Sequence, residues 1–107
     1  MQPNQELIDE LVQRIVEAVH PLRIILFGSA ARSEMGRHSD LDVLVVMPDG
    51  THRRRTAQEI YRRMWGFGFA KDIVVVTESD VREHGSNPYT IIKSALEEGR
   101  ELYHSSG

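Results

Sequence analysis

Asp40 and Asp42 stand one residue apart at the head of an apolar run, Leu41 to Met47, and an earlier apolar run, Ile24 to Phe27, ends in Gly28-Ser29. In an extended segment residues two apart face the same side, so the two carboxylates are presented together. Carboxylates held that close repel one another unless a cation lies between them, and hard oxygen ligands of this kind suit Mg²⁺. Gly28 permits a sharp turn and a close approach of backbone to ligand, while the amides that open a following helix donate to anions. A phosphate cradle beside a metal site is the minimum apparatus for phosphoryl or nucleotidyl transfer.

Several elements must hold these residues in place. From Gln5 to Val19 the apolar positions Ile8, Leu11, Val12, Ile15, Val16 and Val19 recur at three- and four-residue spacing, which predicts an amphipathic helix that Pro21 ends. Ile24 to Phe27 reads as the first strand, residues 29 to 34 as a short helix, and Leu41 to Met47 as the second strand. Because Val43 to Met47 is apolar on both faces, that strand is expected to be central and covered on both sides. Thr51 to about Gly66 predicts a further helix with Ala57, Ile60, Tyr61 and Met64 on its inner side. A third strand is expected from Asp72 to Thr77, and a final helix from Asn87-Pro88 through Tyr103, with Ile92, Ala95, Leu96, Gly99, Leu102 and Tyr103 inward.

Gly28-Ser29, Ala31-Arg32, Ser39-Asp40-Leu41-Asp42 and Lys71-Asp72-Ile73-Val74 together resemble the signature of the minimal nucleotidyltransferases (MNT proteins) of the DNA polymerase beta-like nucleotidyltransferase superfamily. Their order, spacing and third aspartate are more specific than a lone Gly-Ser or Asp-x-Asp. The resemblance runs from the first helix to the last. One departure is Ser33, where such proteins usually carry a glycine after the arginine; it touches the end of the short helix, not the acidic site.

Topology follows from where the aspartates must meet. A short polar connection joins the first two strands, as an antiparallel pair allows. Asp40 and Asp72 each begin a strand, so bringing Asp72 to the other two requires the second and third strands to run parallel. The helical segment from 48 to 71 supplies the long crossover a parallel pair needs. The expected fold class is therefore α/β (α+β), a small mixed sheet with helices packed on it, in agreement with the polymerase beta-like fold that the resemblance implies.

Length and composition bound the rest. The 107 residues allow one domain, 1–107, burying about 65% of the surface of its unfolded chain. A net charge of −3 gives no strong nucleic-acid signal. With no cysteine there are neither disulfides nor thiolate metal sites, and no apolar run approaches a membrane span, so a cytoplasmic protein with no membrane partner is expected.

Other readings stand beside the catalytic ones. Asp40 by itself would serve as a turn residue, Asp72 as a partner of Lys71, and Ser29 as a helix cap, a position compatible with holding phosphate. Arg32, one turn past Ser29, can face the same phosphates, whereas Arg37 reads as a solvated charge. The five histidines show no metal-ligand spacing. Arg53, Arg54, Arg55, Arg62 and Arg63 make either a solvated helix face or a surface for an acidic partner or RNA, with no interleaved aromatic platform evident for RNA.

The resemblance implies roles at the matching positions. Asp40 and Asp42 would bind two Mg²⁺ ions, and Asp72 would complete the ion next to the attacking hydroxyl. Gly28 and Ser29 would hold the triphosphate of a nucleotide, most simply ATP, whose AMP passes to an acceptor hydroxyl. Because MNT proteins of this size are commonly antitoxins encoded beside HEPN-domain toxins, the resemblance points to a HEPN toxin as partner and to a hydroxyl on it as acceptor. A non-catalytic antitoxin that acts by binding, and transfer to a small hydroxylated molecule, are the alternatives. Self-association into a homo-oligomer is a further way to complete an acceptor site.

Overall fold

The computed structural model describes residues 3–27, 41–66, 70–85, 87 and 91–105. In chain order these form α1 (Pro3–Val19), β1 (Arg23–Phe27), β2 (Leu41–Met47), α2 (Arg53–Arg63), β3 (Ala70–Thr77), α3 (Glu78–His84), α4 (Ile91–Glu98) and β4 (Arg100–His104). The strands make one mixed sheet in the order β3-β2-β1-β4. β1 and β2 are antiparallel, and β2 and β3 are parallel with α2 as the crossover, as the sequence predicts.

Alternation along the strands divides the core into two layers. Ile24, Leu26, Val43, Val45, Met47, Ile73 and Val75 face one side, where Ile8, Leu11 and Ile15 of α1 and Ile60 of α2 pack on them with Met64. Ile25, Leu44, Val46 and Val76 face the other, under Ile92 and Ala95 of α4. Leu44 and Val45, neighbours on β2 with opposite orientation, are both 0% exposed, so the central strand is covered on both faces.

α1 stops where Pro21 has no N–H to give. His20 takes the left-handed conformation at φ 50° and donates its N–H to the Val16 carbonyl at 3.0 Å, closing the last turn. α2 is capped by His52, which accepts from the Arg55 N–H at 3.1 Å. At its other end Arg14 of α1 donates to the carbonyls of Arg63 and Trp65 at 3.0 and 3.3 Å, fastening the terminal turn of α2 to α1.

The C-terminal segment departs from expectation. The helix ends at Glu98, and Leu102 and Tyr103 belong to β4, which pairs antiparallel with β1. Gly99 is the reason. A Cβ there would collide with the Ala95 carbonyl oxygen and lie 2.7 Å from Ile25 Cγ2 and 2.8 Å from the Leu26 oxygen. The backbone passes directly over β1 at that point, and only glycine fits the passage from helix to strand.

α3 is a second element beyond the expected set. Thr77 accepts from the Asp80 N–H and Asp80 accepts from the Thr77 N–H, a reciprocal cap that starts the helix as β3 ends. Asp49, in the turn after β2, accepts from the Ser79 N–H at 2.8 Å and from Arg82 at 3.1 Å. The Ser79 backbone bond holds the Asp49 carboxyl below its ordinary range, as the Thr77 backbone bond and then the Arg53 guanidinium do for Asp80. Among the described residues no helix is long and apolar enough to cross a membrane.

Candidate active site

β2 enters the sheet with Asp42 directly across from Phe27 of β1 on one side and Asp72 of β3 on the other. Phe27 is the residue before Gly28, so the end of β1 and both aspartates lie in one row at one end of the sheet. Side-chain alternation fixes their direction. Asp42 shares its face with Leu44 and Val46, and Asp72 shares its face with Val74 and Val76, so both carboxylates lie on the α4 side. Adjacent strands are about 4.8 Å apart, which places the two acids as immediate neighbours.

A bulge produces this alignment. The register runs from Leu41 opposite Ala70 straight to Asp42 opposite Asp72, which leaves Lys71 as the extra residue on β3. With regular pairing Lys71 would stand opposite Asp42, and Asp72 would be carried one residue further, to Val43. The added residue brings the second acid level with the first, the re-aiming of a side chain for which bulges are used.

The two acids differ in environment. Asp42 is half-buried, and its Oδ1 lies in the interior, accepting no hydrogen bond there, while the residue has other interactions. Asp72 is exposed on β3, an edge strand of the sheet that the described residues form. Two same-facing carboxylates, one partly withdrawn from water, repel, and a hard divalent cation between them removes that repulsion. The donor chemistry therefore fits Mg²⁺.

Asp40, Gly28, Ser29 and Arg32 lie outside the described residues, as do the short helix expected from 29 to 34 and Arg37. Among the described residues no group of three or more acidic or histidine side chains gathers, since Asp42 and Asp72 supply two. A cleft of about 280 Å³ lined by Leu22, Val46, Val81 and His104 opens where β2 ends, away from the aspartates at its start.

Tyr61 has a place the periodicity of α2 does not give it. Ile60 and Met64 are buried as expected, but Tyr61 is 45% exposed, and its hydroxyl accepts from the Ile73 N–H at 2.9 Å. It reaches from α2 around to the edge strand, one residue past Asp72. The Thr77 N–H is likewise taken by Asp80, so side chains occupy backbone donors in the middle and at the end of β3 and blunt it as a template for another strand.

Residues 6–103 match the family described as the nucleotidyltransferase domain. Over 82 residues, 74% of the chain, the sequence is 33% identical to the bifunctional uridylyltransferase/uridylyl-removing enzyme of Burkholderia thailandensis, of whose length it spans 9%. A crystal structure ascribed to a nucleotidyltransferase from Sulfolobus solfataricus is similar at a TM-score of 0.63 and 19% identity, covering 92% of this chain and 78% of that one. A crystal structure of a toxin-antitoxin with AMP-PNP is similar at a TM-score of 0.55 and 19% identity, covering 92% of this chain and 74% of that one. At such identities the two structures speak for a shared fold.

Proposed function

We propose that this chain, which belongs to the nucleotidyltransferase domain family, transfers AMP from ATP to a hydroxyl of a partner protein, as the antitoxin of a HEPN/MNT toxin–antitoxin pair. The observation that carries the reading is the in-register pair Asp42 and Asp72, set level by the bulge at Lys71. A pure binding module has no use for a bulge that aligns two acids. The similarity to a toxin-antitoxin structure holding AMP-PNP supports adenine nucleotide and a toxin as partner.

In this reading Asp40, Asp42 and Asp72 hold divalent metal, two Mg²⁺ ions in all. Bound Mg²⁺ supplies charge neutralisation on the phosphates and lowers the pKa of a coordinated hydroxyl. Gly28 and Ser29 grip the triphosphate, and Arg32 faces the same oxygens. The acceptor oxygen bonds to the α-phosphorus as the bond from that phosphorus to the bridging oxygen breaks, and pyrophosphate leaves. Asp72, exposed on β3, orients the acceptor hydroxyl and passes its proton to solvent. Half-buried Asp42 stays on the nucleotide side of the row.

The test is label transfer. The chain is mixed with Mg²⁺, a candidate HEPN protein and either α-labelled ATP or α-labelled UTP, the latter because the Burkholderia relative is a uridylyltransferase. Adenylyl label on a hydroxyl side chain of the partner is the expected result. Label from UTP alone would replace the nucleotide, and label only on small alcohols would remove the antitoxin role.

A further inference from the structure

We propose that the outer face of α2, with Trp65 at its end, docks an acidic surface of the protein acceptor; the proposal rests on the protein-acceptor reading above and names where that acceptor is held. α2 carries five arginines and one glutamate, a charge of +4 in a chain of net −3, so the remaining residues carry −7. This segregation has a cost within the fold. Arg53, Arg54 and Arg55 occupy the first turn, where the helix dipole disfavours positive charge and the turn carries no acidic residue of its own. Arg53 is paired with Asp80 at 3.0 Å, and Arg62 and Arg63 share Glu59. Arg54 and Arg55 make no ion pair among the described residues and are exposed.

Exposed aromatic groups lie on α2 and just past its end. Arg54, Gln58 and Tyr61 follow one another at helical spacing, all exposed, and Trp65, in the turn that follows the helix, has 89% of its surface in water. Trp65 is not at a frayed end, because Arg14 holds its carbonyl. An exposed tryptophan at one end of an arginine-rich helix has the composition of an extended interface, in which Trp, Tyr and Arg supply most of the energy.

Position ties this face to the reaction. α2 leads from the end of β2 to the start of β3, so its Trp65 end lies at the aspartate end of the sheet. Tyr61 touches β3 one residue past Asp72. Since Asp72 is on an edge strand of the described sheet, an acceptor reaches it over the β3 edge, the flank on which Tyr61 stands. A partner whose carboxylates engage Arg54 and Arg55 and whose apolar pocket takes Trp65 is held beside that edge.

Trp65 is the sole tryptophan, so its fluorescence reports docking directly. The wild-type chain is titrated with a short peptide of glutamates around one leucine, with the same peptide carrying glutamine for glutamate, and with oligouridylate. The acidic peptide is expected to shift the emission to shorter wavelength saturably and to bind more weakly as salt rises. Arg54→Glu/Arg55→Glu and Trp65→Ala, the latter followed by anisotropy of a labelled peptide, should each weaken binding about tenfold or more. Asp72→Asn should bind the peptide as wild type does, and both docking variants should keep wild-type affinity for MgATP. An unmoved emission, equal binding of the neutral peptide, or insensitivity to the variants overturns the proposal. Tighter binding of oligouridylate overturns it in favour of nucleic acid. Peptide binding by a chain that fails to bind MgATP leaves the docking face standing and removes the catalytic reading.

Discussion

Asp42 and Asp72 face each other across the parallel β2–β3 pair because Lys71 is one residue too many for regular pairing. The sequence distance between them is spanned by α2, and the final alignment depends on a single inserted residue. Acids at adjacent register positions on one face are electrostatically unfavourable by themselves, so the arrangement makes sense as a cation site.

Neutralising either acid should therefore leave the fold standing. Asp42→Asn and Asp72→Asn are each expected to abolish nucleotidyl transfer while changing the unfolding free energy by less than about 1 kcal/mol, since like-charge repulsion is relieved as interactions are lost. Urea melts beside transfer assays check this. A variant that transfers at the wild-type rate would take that residue out of the site.

The core of β2 should behave differently from its first residues. Leu44→Ala is expected to cost about 2–5 kcal/mol, as the side chain is fully enclosed beneath α4. A loss under about 1 kcal/mol by urea melt would mean that this layer closes poorly over the sheet.

Gly99 offers a test with a sign. In a continuous helix, Gly99→Ala would stabilise by about 1 kcal/mol through helix propensity. In the observed passage from α4 to β4 the added Cβ meets Ile25 and the Leu26 carbonyl, so destabilisation by about 1–3 kcal/mol is expected. Thermal melting of the variant separates the two directly.

Acid should loosen the α3 end of the sheet first. Asp49 and Asp80 both have lowered pKa values in the folded chain, from the Ser79 and Thr77 backbone bonds respectively. A depressed folded pKa contributes stability above the unfolded value, near 3.8, that is lost as pH falls through the folded one. Stability should therefore fall as pH drops below about 4, and more shallowly in Asp80→Asn. Melts of wild type and variant with parallel slopes over that range would contradict the assignment.

Much of the architecture was legible from residue pattern. The apolar runs of β1, β2 and β3 and the stripe of α1 needed no tertiary information, and the parallel β2–β3 pairing followed from requiring Asp72 to join Asp42. β4 was hidden because Ile92, Ala95, Leu96, Leu102 and Tyr103 keep a helical period across Gly99, although Ile92 and Leu102 pack in opposite layers. α3 is short and polar, with Thr77 and Asp80 as its one local signal. Register is a property of two strands together, so the bulge at Lys71 had no local signature. The reach of Tyr61 to Ile73 likewise depends on where α2 sits against the edge strand.

The proposed function requires Asp42 and Asp72 to form a divalent-cation site for a nucleoside triphosphate. Calorimetric titration with a non-hydrolysable ATP analogue, in Mg²⁺ and then in EDTA, tests it without any need for the acceptor. Binding that requires Mg²⁺ and disappears in Asp42→Asn/Asp72→Asn is the predicted result. Equal affinity with and without the metal, or in wild type and the double variant, would contradict it.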